Sequence, residues 1–305
     1  MTNSPGARLR ALMTTGECLV APGCHDALSA RQVQAAGFGA TYLQMYCINA
    51  CLFGEPNIGY ASLAEAVFYA RHIAAAVDIP LIVDAATGFG DAISVQRTVR
   101  EFEAAGAAGI HIEDQLRPWS PTTGIRAPLL SVDEACTKYH AASQARRDPD
   151  FQIIAWSFAT FESLDESLAR CRAYKEAGAD VVMPIMSPYM GYSGRASDAG
   201  RFARVLTEIV AALPSPVATH TPFGLELSAA EATAAGASLY LLTLPTLGAA
   251  AAAVRQTLTA LKDGRVAEGL AEHPPFGIAD FSGILDIRSY DRLAFEMGFA
   301  VRGPV

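Results

Sequence analysis

The stretch Leu81-Ile82-Val83-Asp84-Ala85-Ala86-Thr87-Gly88-Phe89-Gly90-Asp91 decides the fold. Its first part is a short apolar run, typical of a strand that is buried on both faces. The acid Asp84 ends this run, and the two glycines that follow allow the backbone to turn sharply. In α/β folds the chemistry lies at the carboxyl ends of parallel strands. We therefore expect Asp84 to lie in the functional site; the alternative is a structural Asp that caps the next helix.

A pattern of helix, glycine stop and apolar strand recurs along the chain. Ala-Gly pairs end helical patterns at residues 36–37, 105–106, 177–178 and 235–236. Glycine suits the left-handed position after a helix end, so each pair predicts that a helix stops and a strand follows. With four further apolar runs, the strands are predicted at 18–22, 40–46, 81–84, 109–113, 151–156, 180–185, 216–220 and 239–244. Eight such units predict an α/β fold, a (β/α)8 TIM barrel.

The predicted helices between the strands have apolar residues at helical spacing. They are expected at 63–77, 95–105, 132–146, 164–177, 200–213 and 249–261. Ser62 and Ser131 stand at predicted N-cap positions, and Glu65 lies three residues after Ser62, as in a capping box. We expect residues 1–261 to form the barrel and 262–305 to form a C-terminal helical extension of the same domain.

Composition excludes several functional classes. The chain has 305 residues, 51% of them hydrophobic, and a formal net charge of −8 at pH 7. The acidic balance argues against a nucleic-acid partner, because phosphate contacts need clustered Lys and Arg. The longest apolar runs are too short to cross a membrane, and we find no secretory signal pattern. The 6 cysteines form no C-x-x-C pair, so we expect free thiols, buried at Cys47 and Cys51, and a cytoplasmic location.

The chain resembles the isocitrate lyase and phosphoenolpyruvate mutase superfamily, which also contains methylisocitrate lyase and oxaloacetate hydrolases. The resemblance rests on residues 83–90, on 104–115, which end in His-Ile-Glu-Asp-Gln, and on 22–31; it extends over about 8–261. It implies a lyase or isomerase that acts on a small-molecule substrate. It also implies a homodimer or homotetramer in which the last helices pack on a neighbouring subunit.

The resemblance further implies a magnesium site at the ends of the third and fourth strands. Asp84 matches the family's first magnesium acid, and Glu113 matches another metal carboxylate. Ala86 replaces the second acid, and Asn57 stands where the family places an acid near the metal. Because Mg²⁺ is often held by one or two carboxylates together with water and substrate oxygens, Asp84 and Glu113 predict either a weak magnesium site or a site without metal.

Bulky side chains replace family residues that bind substrate at the second and fifth strands. Gln44, Met45 and Tyr46 stand where the family has a small stretch whose backbone holds a carboxylate. Trp156 stands where the family has an Arg that binds an anion, and Phe158 follows closely. A planar cation that binds oxyanions has thus become an indole.

The remaining predicted site positions are also less polar than in the family. By the resemblance, Ile185 replaces a Glu and Thr219 replaces an Asn. The predicted lid at 116–126 contains Arg117 and Trp119 but lacks the Cys, Lys and His of the family's lyases. These changes predict a larger, aromatic-lined pocket for a less charged substrate.

Four side chains are candidates for proton transfer: Asp84, Glu113, His220 and Tyr46. A carboxylate in an apolar pocket has a raised pKa, which suits acid–base catalysis near neutral pH, and the ordinary pKa of histidine already lies in that range. The alternatives are a structural, hydrogen-bonded His220 and a Tyr46 that only packs. His111 lies two residues before Glu113, so we expect it inside the barrel as well.

Three functions remain compatible with the sequence. The first is a divergent superfamily enzyme that performs isomerisation, cyclisation, dehydration or carbon–carbon cleavage on a specialised metabolite, with weak or no metal dependence. The second is a magnesium-dependent lyase of 2-hydroxy or 2-oxo acids, in which Arg117, Arg126 or Arg195 would bind the anion. The third is a catalytically inactive binding protein. Turnover in Asp84→Ala and His220→Ala variants separates these hypotheses.

Overall fold

Eight parallel strands form the central sheet of the protein in the computed structural model, which describes residues 4–118, 127–186, 199–221, 227–265 and 277–297. The strands are β1 Leu19–Cys24, β2 Thr41–Leu43, β3 Leu81–Asp84, β4 Gly109–Glu113, β5 Gln152–Ser157, β6 Val181–Pro184, β7 Ala218–Thr221 and β8 Leu239–Leu242. They pair in the order β6-β5-β4-β3-β2-β1-β8-β7. A parallel bridge between Val182 and Val217 joins the two edges. The sheet is therefore a nearly closed barrel, and the predicted TIM barrel is confirmed.

Helices follow the strands, and those of residues 1–246 surround the sheet. They are α1 Pro5–Leu12, α2 Ala27–Ala35, α3 Met45–Phe53, α4 Leu63–Ala74, α5 Ala92–Ala104, α6 Val132–Ala145, α7 Leu164–Glu176, α8 Ala199–Ala212, α9 Ala229–Ala234, α10 Pro245–Lys262, α11 Ile278–Ile284 and α12 Ile287–Glu296. The predicted caps are confirmed: Ser62 begins α4 and Ser131 begins α6, each in a capping box with the Glu three residues later. Each box satisfies backbone N–H groups that the first helical turn leaves free.

The second strand is shorter than the predicted 40–46. It ends at Leu43, and α3 begins at Met45, so Tyr46 lies in a helix. Gln44 is the N-cap of α3 and makes no side-chain capping bond, which is why no capping motif marked the helix in the sequence. Within α3, Cys47 is buried and Cys51 is exposed; the prediction that both thiols are buried was wrong for Cys51, which lies on the helix's outer side. All six cysteines are free.

One core cluster fills the barrel. It contains alternate side chains of the strands, such as Ile82, Ile154, Met183 and Leu241, and Leu9 of α1 joins it. Alternation of side chains along each strand places every second residue on this side. The same side of β4 carries His111, since His111 contacts Trp156 of the cluster. The centre of the barrel is thus apolar except for a few polar side chains near the carboxyl ends of the strands.

The β3–α5 loop has an unusual backbone. Ala86 and Phe89 adopt positive φ angles of 47° and 57°, and Gly88 and Gly90 adopt 89° and 145°. A non-glycine residue in this region carries a steric cost, so the surroundings must hold it in place. Thr98 donates a 3.0 Å hydrogen bond to the Gly88 carbonyl, and Asp84 accepts from the Ala86 N–H. These contacts fix the loop beside the carboxyl end of β3.

The chain divides into two compact units, 1–246 and 247–305. In the second unit, α12 has no buried side chain, and Ile287, Tyr290, Leu293 and Phe295 are exposed. The prediction that 262–305 extends the barrel domain stays a prediction. Among the helices of the described residues, none has both the length and the apolar character needed to span a membrane. The cytoplasmic location stays a prediction.

Candidate active site

Asp84 occupies the carboxyl end of β3 and is almost fully buried. Its Oδ2 accepts the Met45 N–H at 2.9 Å, and its Oδ1 accepts the Ala86 N–H at 2.7 Å. Burial alone would raise the pKa of this carboxyl, but His111 and the two N–H donors outweigh burial and lower the pKa. Asp84 is therefore a fixed anion at the end of the strand.

Glu113 ends β4, the strand next to β3, and is also buried. Burial raises the pKa of its carboxyl well above the usual range, and the negative charges of Asp84 and Asp114 raise it further. Two neighbouring carboxyls in one buried site cannot both ionise easily. The lowered pKa of Asp84 and the raised pKa of Glu113 thus favour a charged Asp84 beside a protonated Glu113 while no cation is bound.

Asp114 follows Glu113 but belongs to a separate structural network. Its carboxylate accepts hydrogen bonds from the Ser157 hydroxyl at 3.0 Å, the Tyr174 hydroxyl at 2.8 Å and the Phe158 N–H at 2.8 Å. The Arg170 Nη1 atom lies 3.8 Å from Asp114 Oδ2. These contacts tie Asp114, at the end of β4, to β5 and α7.

His111 connects Asp84 to the barrel interior. Its Nε2 lies 2.7 Å from the Tyr42 hydroxyl and 3.3 Å from Asp84 Oδ1. Its Nδ1 is buried and has no hydrogen-bond partner among the described residues. His111 was expected inside the barrel, which the structure shows. Tyr42 was not singled out from the sequence; its place two residues before Gln44 in the predicted strand, on the same side, was the signal that could have found it.

An aromatic group lies beside the carboxyls, because Trp156 of β5 pairs with Glu113 of β4. Trp156 at the end of β5 stands edge-on to His111 and to His220, with both ring centroids 4.7 Å away. The ring centroids of Phe158 and Trp156 are 5.2 Å apart. Ile185 belongs to the same core cluster as these two residues. Burial, together with the charge of His111, lowers the pKa of His220 to about 3. His220 is therefore neutral at physiological pH, and its buried Nδ1 finds no partner within the described chain.

Of the predicted residues after β2, Met45 contacts Asp84. Met45 is joined to it by the N–H bond, whereas Gln44 is half-buried, with an Oε1 that has no partner among the described residues. Tyr46 is half-buried in the first turn of α3. Asn57 is buried, and its Oδ1 accepts a 3.3 Å hydrogen bond from Asn49, which also donates to the Met45 carbonyl. Asn57 therefore supports the start of α3, and its role in binding substrate stays a prediction.

Two other predicted residues do not join this group, and further ones lie outside the described residues. Arg117 is exposed and lines a different cavity, together with Lys138. Thr219 neighbours His220 in β7, and because successive side chains of a strand alternate, it lies on the opposite face. Trp119 lies outside the described residues, as do Arg126 and Arg195. Their roles stay predictions.

The carboxyls Asp84 and Glu113 provide the donors for a magnesium ion. Within the ranges that the structure describes, no group of three or more His, Cys, Asp or Glu side chains could hold a metal. A pair suffices for Mg²⁺ when water and substrate oxygens complete the shell. Burial and the charge of Asp84 raise the pKa of Glu113, and a bound divalent cation would favour the ionised form of both carboxyls. The donor set therefore fits Mg²⁺, with fewer protein ligands than Mg²⁺ sites that have three carboxylates.

Comparison with known proteins identifies the family. The family model described as phosphoenolpyruvate phosphomutase matches residues 9–262. The chain is 43% identical over 183 residues to 2,3-dimethylmalate lyase of Eubacterium barkeri, which covers 60% of this chain and 63% of that relative, less than two thirds of its length. It is 34% identical over 264 residues to oxaloacetate decarboxylase of Rhodopseudomonas palustris (strain ATCC BAA-98 / CGA009), which covers 86% of each.

Solved structures agree with this assignment. Oxaloacetate acetylhydrolase in complex with the inhibitor 3,3-difluorooxalacetate superposes with a TM-score of 0.83 at 29% identity, covering 98% of this chain and 99% of that chain. Phosphonopyruvate hydrolase in complex with oxalate and Mg²⁺ gives a TM-score of 0.79 at 26% identity, covering 96% and 98%. The chain therefore belongs to the phosphoenolpyruvate phosphomutase family, in a superfamily of lyases and mutases that act on small organic acids.

Proposed function

We propose that the protein is an enzyme that performs proton-transfer chemistry, such as carbon–carbon cleavage, isomerisation, cyclisation or dehydration, on a small organic acid with an apolar or aromatic substituent. The observation that supports this proposal is that the site has carboxyls on one side and an aromatic side chain on the other. Asp84 and Glu113 stand at the ends of β3 and β4, whereas Trp156 stands at the end of β5. A substrate with one polar and one apolar part would complement both sides.

The polar side supplies the acid–base groups. Without a bound metal, burial and the charge of Asp84 raise the pKa of Glu113 and favour its protonated form, so Glu113 then suits the role of general acid that protonates a developing carbanion or leaving oxygen. Asp84, held by two N–H donors, suits the role of a fixed anion that orients the substrate. When bound, Mg²⁺ would polarise the oxygens of a substrate carboxylate or carbonyl.

The apolar side supplies selectivity. Trp156 and Phe158 offer ring surfaces to a substituent of the substrate, and burying such a group yields about 25 cal/mol per Å² of apolar area. The Nδ1 of the neutral His220 and the Nε1 of Trp156 are both buried, and neither has a hydrogen-bond partner among the described residues. They are available to bind one polar atom of the substituent. We propose that these groups favour a less charged substrate than oxaloacetate.

Metal dependence is the second part of the proposal. Ala86 and Asn57 offer no carboxylates, so Asp84 and Glu113 alone would hold Mg²⁺, and we propose weak binding. A magnesium-dependent lyase of 2-hydroxy or 2-oxo acids is the second candidate. It is favoured by the like-charge pair Asp84 and Glu113 and by the lyases among the relatives.

Manganese titration of the purified protein, followed by electron paramagnetic resonance, separates these candidates. The Asp84→Asn variant removes a proposed ligand, whereas Asp91→Asn, at the other end of the same loop, keeps its capping geometry and serves as the matched control. We expect weak binding that Asp84→Asn abolishes and Asp91→Asn leaves unchanged. Tight binding would support the magnesium-dependent lyase. Binding that survives in Asp84→Asn would overturn the proposed metal site.

We also propose a homo-oligomer in which a second copy covers α12. Support comes from the exposed Ile287, Tyr290 and Leu293 on a helix without buried side chains, because a large exposed apolar face marks an interaction surface. Light scattering of the purified protein should give the molar mass of a dimer or a tetramer. The Leu293→Glu variant should have a molar mass closer to that of the monomer. A monomeric wild type would overturn this proposal.

A further inference from the structure

A cavity of about 510 Å³ lies between the β3–α5 loop and α6. Thr87 and Asp91 line it from the loop, and Glu134 and Lys138 line it from the helix. Neither Asp84 nor Glu113 is among the residues that line it. The cavity is therefore separate from the candidate active site, and the proposed function makes no use of it.

Lys138 is the central polar group of this cavity. Its side chain is 8% exposed, and its Nζ donates a hydrogen bond to the Thr87 carbonyl. An ammonium has three donors, and in the part of the chain that the structure describes, Lys138 forms no ion pair. Burial lowers its pKa, and the charge of Asp91 only partly offsets this. A buried cation without an adjacent anion is costly, so the site favours an anion.

The two acids that line the cavity do not fill this role. Asp91 Oδ1 accepts the N–H groups of Ile93 and Ser94 at the start of α5. Glu134 Oε2 accepts the N–H and hydroxyl of Ser131. Both carboxylates are exposed, so water compensates them, whereas Lys138 is buried. Lys138 is thus a buried charge that forms no ion pair among the described residues, and the exposed Arg117 adds a second positive charge at the lining.

Apolar side chains form much of the remaining wall. Leu116 and Pro118 contribute from the segment after β4, and Leu130 contributes from the segment before α6. A ligand that binds Lys138 through an anionic group would place its other end against these side chains. The chemistry of the cavity therefore suits an anion with a short apolar tail.

We propose that this cavity binds a small monocarboxylate with a short aliphatic chain, at a site distinct from the active site. The carboxylate would accept hydrogen bonds from the two remaining Nζ–H donors of Lys138. The aliphatic chain would contact Leu116 and Leu130. Because Lys138 also holds the Thr87 carbonyl, the ligand would sit directly beside the loop that carries Ala86.

Isothermal titration calorimetry with hexanoate tests this proposal on the full-length chain. Hexylammonium and hexanol have the same chain length with positive and zero charge. We expect hexanoate to bind at least about tenfold more tightly than either. Equal or tighter binding of hexylammonium, or no heat with hexanoate, would overturn the proposal.

Variants locate the ligand. Lys138→Met should weaken hexanoate binding at least about tenfold. Lys175→Met is the matched control, because Lys175 also has a pKa lowered by burial and donates to a carbonyl, that of Asp180, but does not line the cavity; it should bind as the wild type does. Unchanged affinity in Lys138→Met would overturn the proposal.

Two further variants test whether weaker binding reflects loss of folding and whether the ligand binds at another site. Leu130→Trp fills the cavity without changing a charge and should also weaken binding, with circular dichroism confirming the fold of each variant. Asp84→Asn should leave hexanoate affinity unchanged. Weaker binding in Asp84→Asn would place the ligand in the active site and overturn the proposal.

Discussion

His111 Nε2 lies 3.3 Å from Asp84 Oδ1, and both side chains are fully buried at neighbouring positions of β4 and β3. The same nitrogen lies 2.7 Å from the Tyr42 hydroxyl. Asp84 is thus held from three directions, by His111 and by the N–H groups of Met45 and Ala86. A carboxylate fixed in this way presents a defined charge to the active site without reorganisation.

Removing His111 should destabilise the protein and leave Tyr42 without a partner. We expect His111→Phe and Tyr42→Phe each to cost about 1–3 kcal/mol of unfolding free energy, since each leaves a buried polar group unsatisfied. The double variant should cost less than the sum, with a coupling of about 1 kcal/mol. Urea unfolding of the four proteins measures this; strictly additive costs would contradict the Tyr42–His111 hydrogen bond.

Ala86 is the position at which metal binding can be increased. It already has a positive φ of 47°, a conformation that Asp and Asn adopt more readily than Ala does. We expect Ala86→Asp to raise Mn²⁺ affinity at least about tenfold, or roughly 1.4 kcal/mol, because it adds a carboxylate next to Asp84 and Glu113. Ala86→Asn, which has the same shape but no charge, should give a smaller change. An equal gain in both variants would contradict a charge-based site.

His220 should make the protein sensitive to acid. Burial lowers its pKa from 6.5 to about 3, so the unfolded chain binds a proton below about pH 6.5 while the folded chain does not. Stability therefore falls as pH drops from 6.5 toward 3, by about 2 kcal/mol at pH 5. His220→Phe should remove this part of the loss. Unfolding free energies at pH 7 and pH 5 test it; the same loss in both proteins would contradict the prediction.

Close contact between β4 and β5 explains why Gly109 is a glycine. A Cβ there would lie 2.6 Å from the Gln152 carbonyl oxygen, a backbone atom. Gly109→Ala should therefore cost about 1–3 kcal/mol, because the strands must separate. Gly39→Ala is the control, because its Cβ would meet no atom closer than 3.5 Å, and we expect it to change stability by about 0.5 kcal/mol or less. Thermal unfolding measures the stability of both variants. An equal loss of stability in the two would contradict a steric cost at Gly109.

The barrel could be predicted from the sequence because its signals are local. Each strand is a short apolar run, and the Ala-Gly pairs mark helix ends; β3 and β4 have the predicted bounds. The predicted strand at 40–46 extends beyond the observed end of β2 at Leu43. Residues 40–53 are almost all apolar, and apolar runs fit a buried strand and a buried helix equally well. Only tertiary context decides that α3 begins at Met45.

The site could be predicted only in part. Asp84 and Glu113 stand at strand ends, where position along the sequence is sufficient to find them. The Tyr42–His111 hydrogen bond and the cavity at Lys138 depend on side chains from distant segments, which no spacing in the sequence reveals. Asn57 illustrates the same point, since its neighbour Asn49 lies on a helix that the sequence did not predict.

The most direct test of the account is turnover of small organic acids by the wild type and by Asp84→Asn. Substituted 2-hydroxy and 2-oxo acids, with and without an apolar substituent, are incubated with enzyme and Mg²⁺, and products are followed by proton nuclear magnetic resonance. We predict that the wild type converts at least one acid with an apolar substituent faster than its unsubstituted parent. Asp84→Asn should lose about 10²-fold or more of this rate, while Asp91→Asn keeps it. Absence of turnover for every acid, or an Asp84→Asn rate equal to that of the wild type, would contradict an active site built on Asp84 and Glu113.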